Sequence, residues 1–226
     1  MLKDLLNLFY PAICFCCDKN LSAGESVICV HCRHELPITD NLLEPENRTK
    51  KIFYGRVPVE NAASLLLFEK KGIVQNLIHY LKYRGNQEIG SFLGQWLGQK
   101  LSIHTEYQKI TVVIPVPLHK RKLRSRGYNQ VEKFGKEIAG LLEVPYVDNV
   151  LLKTSSSKSQ TNKKRFARWG ELNDYFIINN GDHLQGAHIL LIDDIVTTGA
   201  TLEACSNKLL EIPNIKISIA TMAFAV

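Results

Sequence analysis

No apolar run in this 226-residue sequence approaches the roughly 20 residues of a membrane-spanning helix. No unit recurs at a fixed period, which excludes solenoids and propellers. There is no G-x-S-x-G, and no Cys/His pair outside the first 34 residues, so no familiar nucleophilic hydrolase site is spelled out. Only one cysteine, Cys205, lies beyond residue 32. It stands alone and reads as buried filler. The stretch "MLKDLLNLFYPAICF" lacks an A-x-A-like cleavage site, and Asp4 and Asn7 interrupt its apolar residues. It reads as a short amphipathic helix with Leu2, Leu5, Leu6 and Phe9 on one face, and the protein is expected in the cytoplasm.

What is present is enough for one full core and a small appendage, with 45% of the residues apolar. The net charge of +6 is a mild bias and not by itself a nucleic-acid signature. Its distribution says more. "HKRKLRSRG" (119–127) is a basic cluster that reads as a solvated loop. From Lys153 to Arg168 there are six lysines and arginines and no acid. Both blocks precede an acidic strand end and can fold back near it, which points to an anionic ligand.

Five cysteines lie between residues 14 and 32, as "CFCC" and then "CVHC". Cys14 with Cys17, and Cys29 with Cys32, form two C-x-x-C pairs that can converge on one Zn²⁺. Cys16 could exchange with Cys17, and His31 and His34 are reserve ligands at poorer spacing. A disulfide framework is disfavoured in the cytoplasm. A redox pair would sit at a helix N-terminus beside a strand, and none is evident there. The expected division is a structural zinc module over 1–40, too short for a core of its own, and a second domain over 41–226.

In that second domain, apolar periodicity predicts strands at 62–70, 110–118, 188–193 and 215–226. It predicts helices at 72–85, 88–102, 129–143 and 201–211. The alternation implies an α/β fold, a mostly parallel twisted sheet flanked by helices. Ligands bind such sheets at the carboxyl ends of the strands. "LLIDDIVTTGATLEA" (190–204) sits at one such end. Asp193 and Asp194 can accept hydrogen bonds from a sugar diol. Val196, Thr197, Thr198, Gly199, Ala200 and Thr201 form a loop with little bulk, whose amides and hydroxyls can wrap a phosphate at the start of a helix. A ribose 5-phosphate fits this spacing.

"LLIDDIVTTGAT" resembles the phosphoribosyl-pyrophosphate (PRPP) motif of type I phosphoribosyltransferases. "YPAICFCC", "CVHCRHELP", "HYLKYRGN", "VIPVPLHKRKLRSRGYNQ" and "SQTNKKRFARW", in that order, resemble the ComF-type competence proteins over nearly the whole length. The resemblance implies that Asp193 and Asp194 take the ribose hydroxyls, as the candidate catalytic residues, and that residues 197–201 hold the 5-phosphate. It places Val116, Pro117 and Leu118 in the pyrophosphate loop. It makes the stretch holding Lys158, Lys163, Lys164, Arg165 and Arg168 a mobile basic loop, and it implies Mg²⁺ held by the ligand. The turn after Ile114 carries Pro115 and Pro117 and no glycine, so it offers fewer amides to pyrophosphate. Glu171 stands where asparagine is expected three residues after Arg168, with Asn173 nearby.

Two functions are implied. One is phosphoribosyl transfer with release of pyrophosphate, in a protein involved in DNA uptake during natural transformation. The other is a non-enzymatic single-stranded DNA-binding adaptor, whose PRPP pocket senses a metabolite or holds a nucleotide end. In the second, the basic runs with Phe166 and Trp169 track a strand, and the zinc module adds to this or docks a competence ATPase. No pocket for an acceptor base is legible, and Tyr83, Tyr128 and Trp169 read as core or loop packing.

Overall fold

The computed structural model describes residues 11–39, 42–154 and 175–226. The amphipathic N-terminal stretch and the predicted loop residues Lys158, Lys163, Lys164, Arg165, Phe166, Arg168 and Trp169 lie outside them. In chain order the elements are α1 (Val30–Glu35), α2 (Arg48–Lys51), β1 (Ala62–Phe68), α3 (Ile73–Tyr83), α4 (Glu88–Ser102), β2 (Val112–Pro115), α5 (Lys120–Arg126), α6 (Glu132–Leu141), β3 (Leu151–Lys153), β4 (Phe176–Ile178), β5 (His188–Val196), α7 (Ala200–Leu209) and β6 (Lys216–Ala225).

β1, β6, β5 and β2 form one parallel sheet in that spatial order, and β3 pairs antiparallel with β4 apart from it. Helices cover both faces, so the central strands are apolar on both sides. Leu190 and Ile192 of β5 pack with residues of α3, α4 and α6, such as Leu77, Leu93 and Phe134. Ile189 and Leu191, one residue out of phase, pack on the other face with Leu202 and Leu209 of α7. α4 and α6 approach closely because α4 presents glycine at the crossing. A Cβ at Gly94 would lie 2.6 Å from the carbonyl oxygen of Phe134.

The cysteine-bearing segment is not a free-standing lobe. Cys14, Cys16, Ile28, Cys32 and Leu36 belong to the same apolar cluster as α3 and α4. Residue Ile38 forms an antiparallel bridge with Leu66, and the Thr39 N–H donates to the Leu65 carbonyl at 3.0 Å. The segment thereby closes the outer edge of β1.

Three local differences from the sequence reading have physical causes. The predicted strand 188–193 runs to Val196, because β6 continues beside it and pairs with Asp193, Ile195 and Val196. The helix predicted from residue 129 begins at Glu132; the Asn129 side chain accepts from the Val131 N–H (3.4 Å) and holds a turn instead. The basic "KRKLRSR" is a helix and not a loop. His119 caps its start, accepting from the Arg121 N–H at 3.1 Å, and Gly127 (φ 83°) ends it.

Candidate functional site

β5 sets the two acids on opposite faces of the sheet, because successive strand residues alternate. They lie within the strand and not past its end. Both nevertheless line one open cleft of about 300 Å³ at the carboxyl ends of β2 and β5. Its walls bring together Val116, Pro117 and Leu118, Lys82 of α3, Arg126 of α5, Gln130, Lys153 of β3, and Thr201 of α7. Lys82, Lys122, Arg126 and Lys153 are four cations on this wall against the two carboxyls. The balance suits a ligand with several negative charges.

Asp194 is 6% exposed and is already engaged. Lys82 Nζ lies 2.7 Å from one carboxylate oxygen, and Gln130 Nε2 donates to the other at 2.5 Å. Arg126 donates in turn to Gln130 Oε1. Among the described residues, Asp193 has no cation within hydrogen-bonding distance; its carboxyl group accepts from the Asp194 N–H at 2.8 Å. Burial, and after it the charge of Asp194, push the Asp193 carboxyl up to about 8. Asp193 is thus the acid whose hydrogen bonds remain to be made, and Asp194 is held in place by its neighbours.

A pH prediction follows from that difference. Native Asp193 keeps a proton that the unfolded chain releases between pH 4 and 8, so its ionisation lowers stability as pH rises through that window. Asp193→Asn cannot ionise. The variant is expected to match the parent near pH 4 and to gain roughly 1–2 kcal/mol over it by pH 8. Melting curves across pH check this, and parallel curves would contradict it.

The "RGYNQ" residues prove to be builders of this cleft. Tyr128 is buried and donates its hydroxyl to the Leu81 carbonyl. Asn129 Nδ2 donates to the Val116 carbonyl at 3.2 Å and fixes the turn 116–118. Val116 also keeps a sheet bond, donating its N–H to the Ile192 carbonyl at 2.9 Å.

The proposed phosphate loop is braced from behind. Gly199 is in the left-handed region (φ 73°), and a Cβ there would lie 2.6 Å from Ile52 Cγ2. The N-cap position of α7 is Gly199, which has no side chain to bond the first-turn amides. Arg56 Nη1 donates to the Thr198 carbonyl at 2.6 Å, and its Nε and Nη2 grip Glu203 in the first turn of α7. Thr197, Thr198 and Thr201 are exposed or nearly so, and Thr201 lines the cleft with the acids. Val196, a predicted contact, is 1% exposed in the core and offers a ligand nothing from its side chain.

The sequence reading does not single out Arg56 or Lys82 as site residues, and it meets Lys153 only as the first residue of the basic run and Gln130 only within "RGYNQ". Each lies tens of positions or more from the 193–201 segment it joins, and no local pattern marks the link. Tyr83, which reads in sequence as packing, is 68% exposed on the cleft wall.

At the other end, Cys14, Cys17, Cys29 and Cys32 place their sulfurs within 4.8 Å of one another. The Cys17 and Cys29 sulfurs are 3.9 Å apart. Tetrahedral Zn–S bonds of about 2.3 Å require edges of about 3.8 Å, so the cluster can hold a metal ion. Backbone N–H groups of Cys29 and Cys32 point at the sulfurs of Cys14 (3.3 Å) and Cys29 (3.4 Å). Burial raises the Cys14 thiol, but N–H donors from Cys29, Cys16 and Cys17 outweigh it and bring it to about 7. Cys16 lies outside the cluster, 1% exposed, with its thiol pushed up to about 12 by burial and then by its neighbours. His31 and His34 are exposed. The four-cysteine set stands without the reserve ligands.

No protein-family model matches the chain. It is similar to competence protein ComFC of Bacillus subtilis (strain 168), 26% identical over 228 residues, with 89% of this chain and 90% of the relative covered. It is equally similar to the DNA utilization protein YhgH of Escherichia coli (strain K12), 26% identical over 214 residues, with 90% and 92% covered. Competence protein F of Haemophilus influenzae matches at 28% over 98 residues, 43% of each chain. The resemblance drawn from the sequence motifs is borne out. Among solved structures, adenine phosphoribosyltransferase of Leishmania tarentolae aligns with TM-score 0.39 and 11% identity, covering 80% of this chain and 89% of that one. A purine phosphoribosyltransferase of Pyrococcus horikoshii aligns at 0.37 and 19%, covering 62% and 81%. Likeness at that level is too slight to bear on the site. Among the described residues, no helix is long and apolar enough to cross a membrane.

Proposed function

We propose that the cleft binds PRPP with Mg²⁺ and that the protein transfers its phosphoribosyl group, within DNA uptake. One observation carries this reading: the acids of β5, the turn 116–118, Thr201 and four cations line a single cleft at the carboxyl ends of parallel strands. Asp193 takes a ribose hydroxyl and Asp194, steadied by Lys82 and Gln130, the other. Residues 197–201 and the first turn of α7 hold the 5-phosphate. Mg²⁺ enters with the ligand, held mostly by the ligand's own oxygens.

In the transfer, the bond from C1 of the ribose to the pyrophosphate oxygen breaks and a bond from C1 to the acceptor forms. Pyrophosphate leaves with the electron pair. Positive charge develops on the sugar and negative charge on the leaving group, so the protein's work is positioning and charge stabilisation. Lys82 and Lys153 face the cleft for the second task. A pyrophosphate-release screen over nucleobases, nucleotides and amines tests the reading. Release with at least one acceptor, absent in Asp193→Asn, is expected. No release with any acceptor would reduce the function to binding.

The adaptor reading has its own support in α5, where Lys120, Arg121, Lys122 and Arg124 are exposed and make no ion pair among the described residues. Such a ridge suits a phosphate backbone. In the four-cysteine module, zinc is the expected metal, because four thiolates at this spacing select it over harder cations. It crosslinks the segment and takes no part in transfer.

A further inference from the structure

A second cavity of about 330 Å³ shares a wall with the cleft. Lys82, Tyr83, Lys122 and Arg126 line both; Gly85, Ser125 and Tyr128 complete the second one. We infer that this cavity is a nucleotide site, holding a base against Tyr83 and its phosphate on Lys122, Arg126 and Ser125.

Tyr83 ends α3 and is 68% exposed, where tyrosine is on average intermediate in burial. Its hydroxyl has no hydrogen-bond partner among the described residues, unlike that of Tyr128. The ring is braced by His79, 5.1 Å between centroids, and by the Arg126 guanidinium, 5.6 Å from its centroid. An exposed ring held in this way offers a stacking surface without much loss of side-chain freedom. Among the described residues, Lys122 makes no side-chain hydrogen bond or ion pair, and the Arg126 side chain hydrogen-bonds only the neutral Gln130. Two cations and a hydroxyl without an acid partner call for a group carrying more than one negative charge, as a phosphate monoester does. Lys82 is turned the other way, paired with Asp194.

The shared wall places this nucleotide beside the sugar cleft, on the acceptor side. Only that last assignment rests on the proposed transfer; occupancy of the cavity does not. The phosphate could belong to a free mononucleotide or to the end of a single strand, and the chemistry of recognition is the same.

The test is calorimetric titration of the full chain with AMP and CMP, with adenosine, and with a 5′-phosphorylated oligonucleotide. AMP or CMP is expected to bind, with adenosine weaker by roughly tenfold. Tyr83→Ala should weaken nucleotide binding roughly tenfold, Tyr83→Phe should restore it, and Lys122→Glu should weaken AMP more than adenosine. Asp193→Asn should leave AMP binding intact while PRPP binding is weakened, which separates this site from the cleft; AMP binding lost together with PRPP binding would place AMP, itself a ribose 5-phosphate, in the cleft and overturn the inference. Tighter binding of the oligonucleotide than of AMP identifies the strand end as the source; the reverse identifies the free nucleotide. Tyr83→Ala and Lys122→Glu proteins that bind AMP like the parent, or a parent that binds no nucleotide at all, would overturn the inference.

Discussion

With Asp193→Asn and Asp194→Asn together, PRPP–Mg²⁺ affinity is expected to fall by roughly a hundredfold or more, from the loss of the charged acceptor at Asp194 and of one carboxyl oxygen at Asp193. Asparagine is the informative replacement. Alanine at 194 would strand Lys82, whose side chain is only 21% exposed and has Asp194 as its partner, and would leave Gln130 without its acceptor. Part of the loss would then be structural. The Asp194→Asn change keeps an oxygen for Lys82 or Gln130 and removes the charge. The two single variants divide the roles. Asp193→Asn alone should lose most of the affinity with no cost in stability above neutral pH, and Asp194→Asn alone should also loosen the Lys82 contact. Calorimetry with a parallel melting curve separates the two.

Removing the metal is expected to have the other large effect. The cysteine segment packs into the cluster of α3 and α4 but has few large apolar residues of its own, so a crosslinking ion supplies much of its order. Chelation, or Cys32→Ser, should release one zinc per chain and lower the melting temperature by about 10 °C or more. Cys16→Ala is the counterpart. It removes a buried thiol from the core at a cost of about 1–2 kcal/mol and should leave the metal content unchanged. Metal analysis by mass spectrometry checks both. Zinc lost from Cys16→Ala and retained by Cys32→Ser would reverse the ligand assignment.

The elements that carry the core were legible because their periodicity is local. β5, α3, α4 and β6 show it in a few residues each, and the double C-x-x-C declares its cluster by spacing alone. The basic helix α5 was not legible as a helix. It is polar on nearly every side, with Leu123 alone among its large side chains apolar, and so carries no amphipathic signal. The engagement of Asp194 was hidden for a different reason. Lys82 lies 112 residues before it and Gln130 lies 64 before it, and only the parallel crossovers bring them together. Arg56, 142 residues from the carbonyl it holds, is the extreme case. The exposed Tyr83 reads in sequence like any tyrosine on an apolar helix; its place at the end of α3, where the cleft opens, makes it different.

The central claim is that the carboxyl ends of β2 and β5 form a receptor for a phosphorylated pentose. Its most direct test is a calorimetric titration of the unmodified chain with PRPP in the presence and absence of Mg²⁺. Saturable binding at one site per chain, weakened when Mg²⁺ is withheld and strongly weakened by Asp193→Asn, is the predicted result. Absence of any saturable heat, or binding indifferent to Asp193, would contradict the account.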